Sequence, residues 1–251
     1  MLSESEIERY ARHIVLAEIG GAGQQKLKQS RVLVVGAGGL GAPVIAYLAA
    51  AGVGTISVVD DDRVSLSNLQ RQIIHDTDAI GKRKTTSAAV AAARINPHVK
   101  LLEWPLRLSE SNSLALIRLH DIVADGSDNF DTRYHVAERC EELSIPLVTA
   151  AVGRFDGSVT TLKPYEKDRS GNFLPRYRDL FPAKPPPGLI PSCAEAGILG
   201  ALTGVVGSIQ ALEVVKEITG IGEGLAGRLL LYDSLAARFD IISYSRTGTH
   251  A

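Results

Sequence analysis

The sequence is poor in cysteine and balanced in charge, and each feature excludes a class of protein. Its 251 residues include only two cysteines, Cys140 and Cys193. A disulfide-built secreted scaffold needs more, so we expect a reducing, cytoplasmic setting. The formal net charge is −1 at pH 7. That balance gives no global electrostatic case for binding nucleic acid or an anionic membrane surface.

Long uninterrupted hydrophobic runs are also lacking. The nearest candidate, residues 198–215, is broken by Thr203, Ser208, Gln210 and Glu213, so we expect no transmembrane helix. The first residues are charged and contain no apolar signal core. With 45% hydrophobic and 22% charged residues, the composition is typical of a globular protein of one large α/β domain.

What the sequence does contain is a glycine-rich turn between an apolar strand and an apolar helix. Residues 32–35 predict a buried strand, and residues 40–51 predict a helix with Pro43 in its first turn, where proline is tolerated. A strand, a glycine turn and a helix N-terminus together bring backbone N–H groups close to a phosphate. The glycines of this turn are Gly36, Gly38, Gly39 and Gly41.

A second predicted strand, residues 55–59, ends in Asp60. This acid lies about 20 residues beyond the glycines, where a ribose hydroxyl is held in dinucleotide-binding folds. The combined pattern predicts nucleotide binding. The alternative is a tight turn that only packs a helix on a sheet.

The order of predicted elements indicates an α/β fold with a doubly wound, Rossmann-like, mostly parallel sheet. Strands and helices alternate through the first two thirds of the chain, and residues 157–163 predict a strand antiparallel to its neighbours. We expect a single domain with N-terminal helices (1–30), a nucleotide-binding core (31–163), a mobile crossover loop (164–192), and a long helix with closing strands (193–251). The long helix, predicted from residue 198 to 219, is buried or lies at a subunit interface.

Charged residues lie at two further predicted element boundaries. Lys82, Arg83 and Lys84 open a helix whose N-terminal dipole prefers acids, which indicates placement for an anion, with a solvated surface as the alternative. Asp128 follows the strand that begins at Ile122 and is a candidate N-cap of the next helix.

These stretches, taken together, resemble the ThiF/MoeB/HesA-type adenylyltransferases, relatives of ubiquitin-activating enzymes. They run in the family order across almost the whole chain. The matching stretches are Arg9-Tyr10-Ala11-Arg12, residues 34–41, Asp60-Asp61-Asp62, Ser67-Asn68-Leu69-Gln70-Arg71-Gln72, residues 81–84, residues 94–97, Gly126-Ser127-Asp128-Asn129 and residues 193–197.

The resemblance implies a homodimer that uses ATP and Mg²⁺ to join the C-terminal Gly-Gly carboxylate of a ubiquitin-fold sulfur carrier to AMP, releasing pyrophosphate. The carrier would belong to molybdopterin or thiamin synthesis. By the same resemblance, Asp128 would hold Mg²⁺ and Arg12 would reach into the partner subunit's site. Arg71 and Lys84 would act on the phosphates. The nucleotide-binding set would be Gly36, Gly38, Gly39, Gly41, Asp60, Asp62, Ser67, Asn68, Leu69, Gln70, Arg71, Lys84, Asp128 and Asn129.

Two cysteine features depart from the family or stay open. Many members carry two Cys-x-x-Cys pairs for zinc, but Arg176 and Asp179 stand where the first pair would fall. Two cysteines cannot make a Cys₄ site, so we expect no zinc. Cys193 precedes a long helix, whose N-terminus favours a thiolate. It could form a covalent link with the carrier, but we favour a packing role.

Two other functions fit parts of the sequence. A nicotinamide-dependent oxidoreductase would use the glycine turn and Asp60, but it leaves Arg12 unexplained. A noncatalytic dimer scaffold that only binds nucleotide or carrier would tolerate damage to Arg12, Arg71, Lys84 or Asp128, and all four are intact.

Overall fold

The computed structural model describes residues 1–186 and 196–247. The chain begins with three helices, α1 (Glu4–Arg9), α2 (Ala11–Ile14) and α3 (Gly20–Gln29). The apolar spacing in the sequence predicts one amphipathic helix over residues 4–14, and residues 20–23 predict a break before the next helix. The structure contradicts both predictions. The first helix is interrupted at Tyr10, because its buried ring packs on Gly52 at a point where a Cβ would overlap it.

The remaining elements alternate as predicted, and several match the expected bounds residue for residue. In chain order they are β1 (Arg31–Val35), α4 (Gly41–Ala51), β2 (Thr55–Val59), α5 (Lys84–Ile95), β3 (Lys100–Trp104), α6 (Glu110–Ile117), β4 (Ile122–Asp125), α7 (Phe130–Leu143), β5 (Leu147–Val152), β6 (Asp156–Leu162), α8 (Tyr177–Leu180), α9 (Gly200–Thr219), β7 (Arg228–Asp233) and β8 (Arg238–Ser243). Short 3₁₀ turns span Leu66–Asn68 and Thr77–Ala79.

The strands form one eight-stranded sheet in the order β3-β2-β1-β4-β5-β6-β7-β8. The first five in that order pair in parallel, and β6, β7 and β8 pair antiparallel. The doubly wound, mostly parallel fold is therefore confirmed. The strand order reverses between β1 and β4, and ligands bind at the carboxyl ends of the strands at such a point.

Helices cover both faces of the parallel part of the sheet and make two apolar layers. On one face α3, α4, α5 and α9 enclose the larger core cluster, and on the other α6, α7 and α8 enclose the smaller one. Helix α9 crosses α4 closely at Gly207, where a Cβ would overlap the ring of Pro43. This crossing places the start of α9 next to the glycine turn.

Within its described part, through residue 186, the segment predicted as a loop from 164 onwards contains a short helix. Residues 177–180 form α8, which packs its Tyr177 ring edge-on against Tyr134 with ring centroids 5.0 Å apart. The hydroxyl of Tyr134 donates to the Phe181 carbonyl at 2.7 Å. The segment thus has a fixed part, and its continuation through residue 192 lies partly outside the described residues. Among the helices described, none is both long and apolar enough to cross a bilayer.

Candidate active site

The glycine turn leaves β1 at the point where the strand order reverses. Gly36 has φ +90°, a value that favours glycine, and a Cβ there would lie 3.3 Å from the Gly126 carbonyl oxygen. At Gly41 a Cβ would overlap the carbonyl oxygen of Gly36. Both glycines are therefore required by the fold, Gly36 because the turn after β4 packs against it and Gly41 because the turn after β1 folds back on itself.

The middle of the turn differs from its ends. A Cβ at Gly39 would lie 3.0 Å from Cγ2 of Thr203 on α9, so this glycine allows α9 to pack on the turn. A Cβ at Gly38 would meet only Nε2 of Gln72, at an ordinary 3.7 Å, and φ is not in the left-handed region. Gly38 is thus the one glycine of this turn that contacts among the described residues do not require.

The Ala37 peptide is held from both sides. Its N–H donates to Asp60 Oδ2 at 2.7 Å, and its carbonyl lies 2.9 Å from Nε2 of His75. The other ring nitrogen, Nδ1, lies 2.9 Å from the hydroxyl of Ser87. Since a carbonyl can only accept, Nε2 carries the proton and Nδ1 accepts from Ser87. Burial lowers the pKa of His75, which favours this neutral form.

His75 was missed at the sequence level, because nothing in its spacing marks it as a partner of a turn 38 residues earlier. Asp60, expected to hold a ribose, is found bonded to the turn itself. Its other oxygen, Oδ1, accepts from the Asp62 N–H at 2.8 Å. Each carboxylate oxygen has a second lone pair, so these bonds leave Asp60 able to accept from a ribose hydroxyl.

Lys84 begins α5 and points towards the strand ends. Its ammonium donates to Asp62 Oδ2 at 2.7 Å, and its side chain is 7% exposed while that of Asp62 is 66% exposed. The basic helix start is therefore a partly buried ion pair at the edge of the site. A phosphate arriving here would meet a cation that is already held in place.

The segment that resembles the family's Ser-Asn-Leu-Gln-Arg-Gln string folds as a tight turn. Asn68 Oδ1 accepts from the Ser65 N–H at 3.2 Å, and Arg71 Nη1 donates to the Ser67 carbonyl at 3.0 Å. Ser67 is exposed, and so is Gln70. No carboxylate pairs with Arg71 among the described residues, so its charge is available to an anion.

The start of α9 locks this segment against the glycine turn. A Cβ at Gly200 would overlap the carbonyl oxygen of Gln70, and the Thr203 hydroxyl lies 3.4 Å from the Arg71 carbonyl. Leu69, in the same segment, is half-buried. Helix α9 therefore links the two predicted nucleotide-binding segments.

The turn after β4 carries Asp128 and is organised by a buried carboxylate. Asp125 Oδ1 accepts from the Ser127 N–H at 3.0 Å, and Oδ2 accepts from the Thr149 hydroxyl at 3.1 Å. Burial raises the pKa of Asp125. Arg133 donates to the Ser127 carbonyl through Nε and Nη2, which fixes the turn from its other side.

Asp128 was also a candidate N-cap of α7, and that interpretation is wrong. Asn129 is the cap, since its Oδ1 accepts from the Thr132 N–H at 2.9 Å. The Asp128 carboxylate is exposed and makes no hydrogen bond or ion pair within residues 1–186 and 196–247. An exposed carboxylate beside the glycine turn suits Mg²⁺, which is usually held by one or two carboxylates and phosphate oxygens.

A second group of acids could hold a metal by spacing alone. Carboxylate oxygens of Asp60, Asp61 and Asp62 lie within 4.8 Å of one another. Two of the three already have partners, the Ala37 N–H and the Lys84 ammonium. Asp128 is therefore the better fit to a metal shared with phosphate.

Arg12 is not brought to the site of its own chain. Its neighbour Tyr10 packs on Gly52 at the far end of α4 and accepts from Asn96 Nδ2 at 2.8 Å. The eleven residues of α4 span about 16 Å. Arg12 is exposed and has no hydrogen bond or ion pair in the described part of the chain.

The two cysteines lie in different settings. Cys193 lies outside the described residues. Cys140 is buried on α7, and burial raises its thiol pKa, so it behaves as an apolar core residue.

Where the family's first zinc cysteines would fall, this chain has an ion-pair and hydrogen-bond network. Arg176 Nε donates to Glu141 Oε1 at 2.7 Å. Asp179 Oδ1 accepts from the N–H and the hydroxyl of Thr247, at 3.0 and 2.6 Å. These bonds tie the C-terminal segment to α8.

Comparisons with known proteins agree with this geometry. Residues 10–249 match the ThiF family. The chain is 46% identical over 244 residues to a sulfur carrier protein adenylyltransferase of Thermus thermophilus, covering 97% of this chain and 89% of that protein. It is 47% identical over 243 residues to the SAMP-activating enzyme of Haloferax volcanii, covering 97% and 87%. It is 46% identical over 242 residues to MoeZ of Mycobacterium tuberculosis, a probable adenylyltransferase/sulfurtransferase, covering 96% of this chain and 61% of MoeZ.

Solved structures show the same fold. The crystal structure of E. coli MccB with ATP superposes with a TM-score of 0.81 at 21% identity, over 98% of this chain and 74% of MccB. PaaA superposes with a TM-score of 0.77 at 23% identity, over 98% and 76%. The match across residues 10–249 and the identity to curated relatives show that the chain belongs to the ThiF family and is an enzyme of the adenylyltransferase class.

Proposed function

We propose that this enzyme uses ATP to adenylate the C-terminal Gly-Gly carboxylate of a ubiquitin-fold sulfur carrier, forming an acyl-AMP and releasing pyrophosphate. One observation carries the proposal. The glycine turn, the cations Arg71 and Lys84, and the unpaired Asp128 all lie at the carboxyl ends of neighbouring strands. The name of the Thermus thermophilus relative, sulfur carrier protein adenylyltransferase, supports a sulfur carrier as substrate.

The chemistry explains why this set of residues suits the reaction. A carboxylate oxygen of the carrier must attack the α-phosphorus, and the bond to pyrophosphate must break. Both reactants are anionic, so positive charge and fixed alignment lower the barrier. Lys84 and Arg71 supply that charge from positions held by Asp62 and by the Ser67 carbonyl.

The remaining residues bind and orient the nucleotide. The N–H groups of the glycine turn and the start of α4 face the phosphates, while Asp60 accepts from the ribose. Asn68 would reach the phosphates, and Asn129 would lie beside Asp128. Mg²⁺, held by Asp128 and phosphate oxygens, would neutralise charge on the pyrophosphate as it leaves.

The active form is a homodimer in which Arg12 serves the partner's site. Beyond Arg12, Val15 and Leu16 are exposed, and so is Leu212 on α9. Leu16 and Leu212 line a cavity of about 310 Å³ together with Ile19 and Ile221, and the charged residues Glu18 and Lys216 complete its wall. An exposed apolar face of this kind is typical of a subunit interface, and it lies beside an arginine that cannot reach its own site.

Cys193 has a packing role in this proposal, and adenylate formation does not need its thiol. Cys193→Ala should therefore retain adenylation at close to the normal rate. Loss of that step in a folded Cys193→Ala protein would show that the thiol takes part.

The experiment that tests the function is carrier-dependent exchange of pyrophosphate into ATP. The molybdopterin-synthase small subunit and the thiamin-pathway carrier would be assayed separately, each with its Gly-Gly end and with that end removed. Exchange with one intact carrier would establish both reaction and carrier. No exchange with either, in a protein that binds ATP, would contradict the proposal and favour a noncatalytic scaffold.

A further inference from the structure

Gln72 is a buried amide whose hydrogen-bonding groups are unused. Its side chain follows Arg71 and is 3% exposed. The buried Oε1 has no hydrogen-bond partner, and Nε2 makes no hydrogen bond to any residue in the described ranges. The backbone is fixed by contrast, since the Gln72 N–H donates to the Asn68 carbonyl and its own carbonyl accepts from the His75 N–H. These backbone bonds fix the position of Gln72, while its side-chain N–H groups make no hydrogen bond in the described residues.

Two other buried glutamines show what such amides do elsewhere in this chain. Gln24 Nε2 donates to the Ala51 carbonyl at 2.8 Å, and its Oε1 accepts from His13. Gln210 Nε2 donates to the carbonyls of Asp125 and Val148, at 2.8 and 2.9 Å. In both, Nε2 is satisfied by the protein. Only the third, Gln72, keeps its two donors free among the residues described.

The free donors face the glycine turn. Apart from Gly38 and its neighbours in the chain, Nε2 of Gln72 is the only atom of the described residues within 4 Å of the position that a Cβ on Gly38 would take. Gly38 is also the glycine that described contacts do not require, and a Cβ there would lie 3.7 Å from Nε2, at van der Waals contact. Gly38, which no described contact requires to be glycine, and Nε2 of Gln72, which makes no hydrogen bond in the described residues, thus face each other.

We propose that the Gln72 amide N–H groups donate to a phosphate oxygen of the nucleotide seated on the glycine turn. A primary amide offers two donors and no charge. It would orient an oxygen between the cations Arg71 and Lys84 without adding to their repulsion. The inference rests on the proposed function only in taking ATP as the nucleotide.

The test is Gln72→Met, which keeps the side-chain length and removes both donors and the buried oxygen. Without carrier, calorimetry should show the ATP dissociation constant raised about tenfold or more, as expected for a lost hydrogen bond to a charged group. Without nucleotide, Tm should rise by about 2–4 °C, because an unpartnered buried oxygen is removed. Damage to the fold would instead lower both affinity and Tm.

Gln24→Met is the matched control. It removes a buried amide whose bonds are satisfied and which lies at the far end of α4. Its Tm should fall while ATP affinity stays within about twofold of the original protein. Gly38→Ala tests the same geometry from the other side, since its methyl group would fill the space in front of Nε2 and weaken ATP binding.

Unchanged ATP affinity in Gln72→Met would overturn the inference. A loss of affinity accompanied by a fall in Tm would also overturn it, because it would indicate damage to the fold. Both readouts are independent of turnover. A wild-type protein that binds ATP but shows no pyrophosphate exchange contradicts the proposed function and leaves this test intact. Equal ATP binding by wild type and Gln72→Met contradicts only the inference.

Discussion

The position of Arg12 predicts that two inactive variants should restore activity when mixed. Gly41, at the start of α4, contacts the turn that leads to Asp128, and Tyr10 contacts Gly52 at the other end of the same helix. The two ends are about 16 Å apart, which is more than twice the reach of an extended arginine side chain. Arg12 must therefore act in a neighbouring subunit if it acts on the nucleotide at all.

The size of the effect follows from the symmetry of a dimer. Arg12→Ala and Asp128→Ala should each lose activity, by about 10³-fold if Arg12 acts like the arginine of phosphoryl-transfer enzymes. After equal mixing and subunit exchange, about half of the dimers are hybrids, and each hybrid has one site with both groups intact. Pyrophosphate exchange should then recover to about a quarter of the wild-type rate.

A second mixture separates this explanation from nonspecific rescue. Lys84 and Asp128 belong to one site in one chain, so a hybrid of Lys84→Met and Asp128→Ala has no intact site and should stay inactive. Arg12→Ala alone should keep normal ATP affinity, since its role is confined to the reaction. If the Arg12→Ala and Asp128→Ala mixture stays as inactive as its parents after exchange has been demonstrated, the reasoning about Arg12 is refuted.

Three further predictions concern stability. Gly41→Ala should cost more than about 3 kcal/mol because its Cβ would overlap a backbone oxygen, whereas Gly38→Ala should stay within about 0.5 kcal/mol, both measured by urea unfolding. The hydrogen bond from Lys28 is the main reason that the pKa of Glu6 falls from 4.5 to about 2, so its ionised form stabilises the fold above pH 4.5 and that contribution is lost as pH falls towards 2. Glu6→Gln should be less stable by about 1–2 kcal/mol at pH 7, with the gap closing in acid, and a gap independent of pH would contradict this. The dependence of stability on pH is opposite for Asp125, because burial raises its pKa. Its ionised form therefore lowers stability at neutral pH. Asp125→Asn should raise Tm at pH 8 and should have the same Tm as wild type near pH 3.

Much of the fold could be predicted because its signals are local. The sequence pattern predicts strands over residues 55–59, 100–104, 147–152 and 228–233 and a helix over residues 130–143. The bounds of β2, β3, β5, β7 and α7 agree with these residue for residue, because short apolar runs bounded by glycine, proline or polar residues leave little choice of register. The N-terminal helices were less predictable. Their interruption depends on Tyr10 filling the space over Gly52, a contact between residues distant in sequence.

The residues of the candidate site likewise include some that the sequence could predict and some that it could not. The turn motif predicts Gly36 and Gly41, and the structure shows why each must be glycine, since a Cβ at either position would crowd the backbone. The cap of α7 could not be chosen from sequence, because Asp128 and Asn129 are both good capping residues and only the backbone decides between them. His75 and Gln72 carry no spacing signal. Their importance comes from atoms that meet only after β1 and the following loop have folded together.

The two bonds on the Ala37 peptide have a consequence for how tightly a nucleotide can bind. Because Asp60 and His75 fix that peptide before any ligand arrives, little conformational entropy is left for the ligand to remove. In His75→Ala the turn would become an ensemble in which only a fraction of molecules is competent to bind. The apparent dissociation constant would then rise by the inverse of that fraction, although no atom touching the nucleotide had changed.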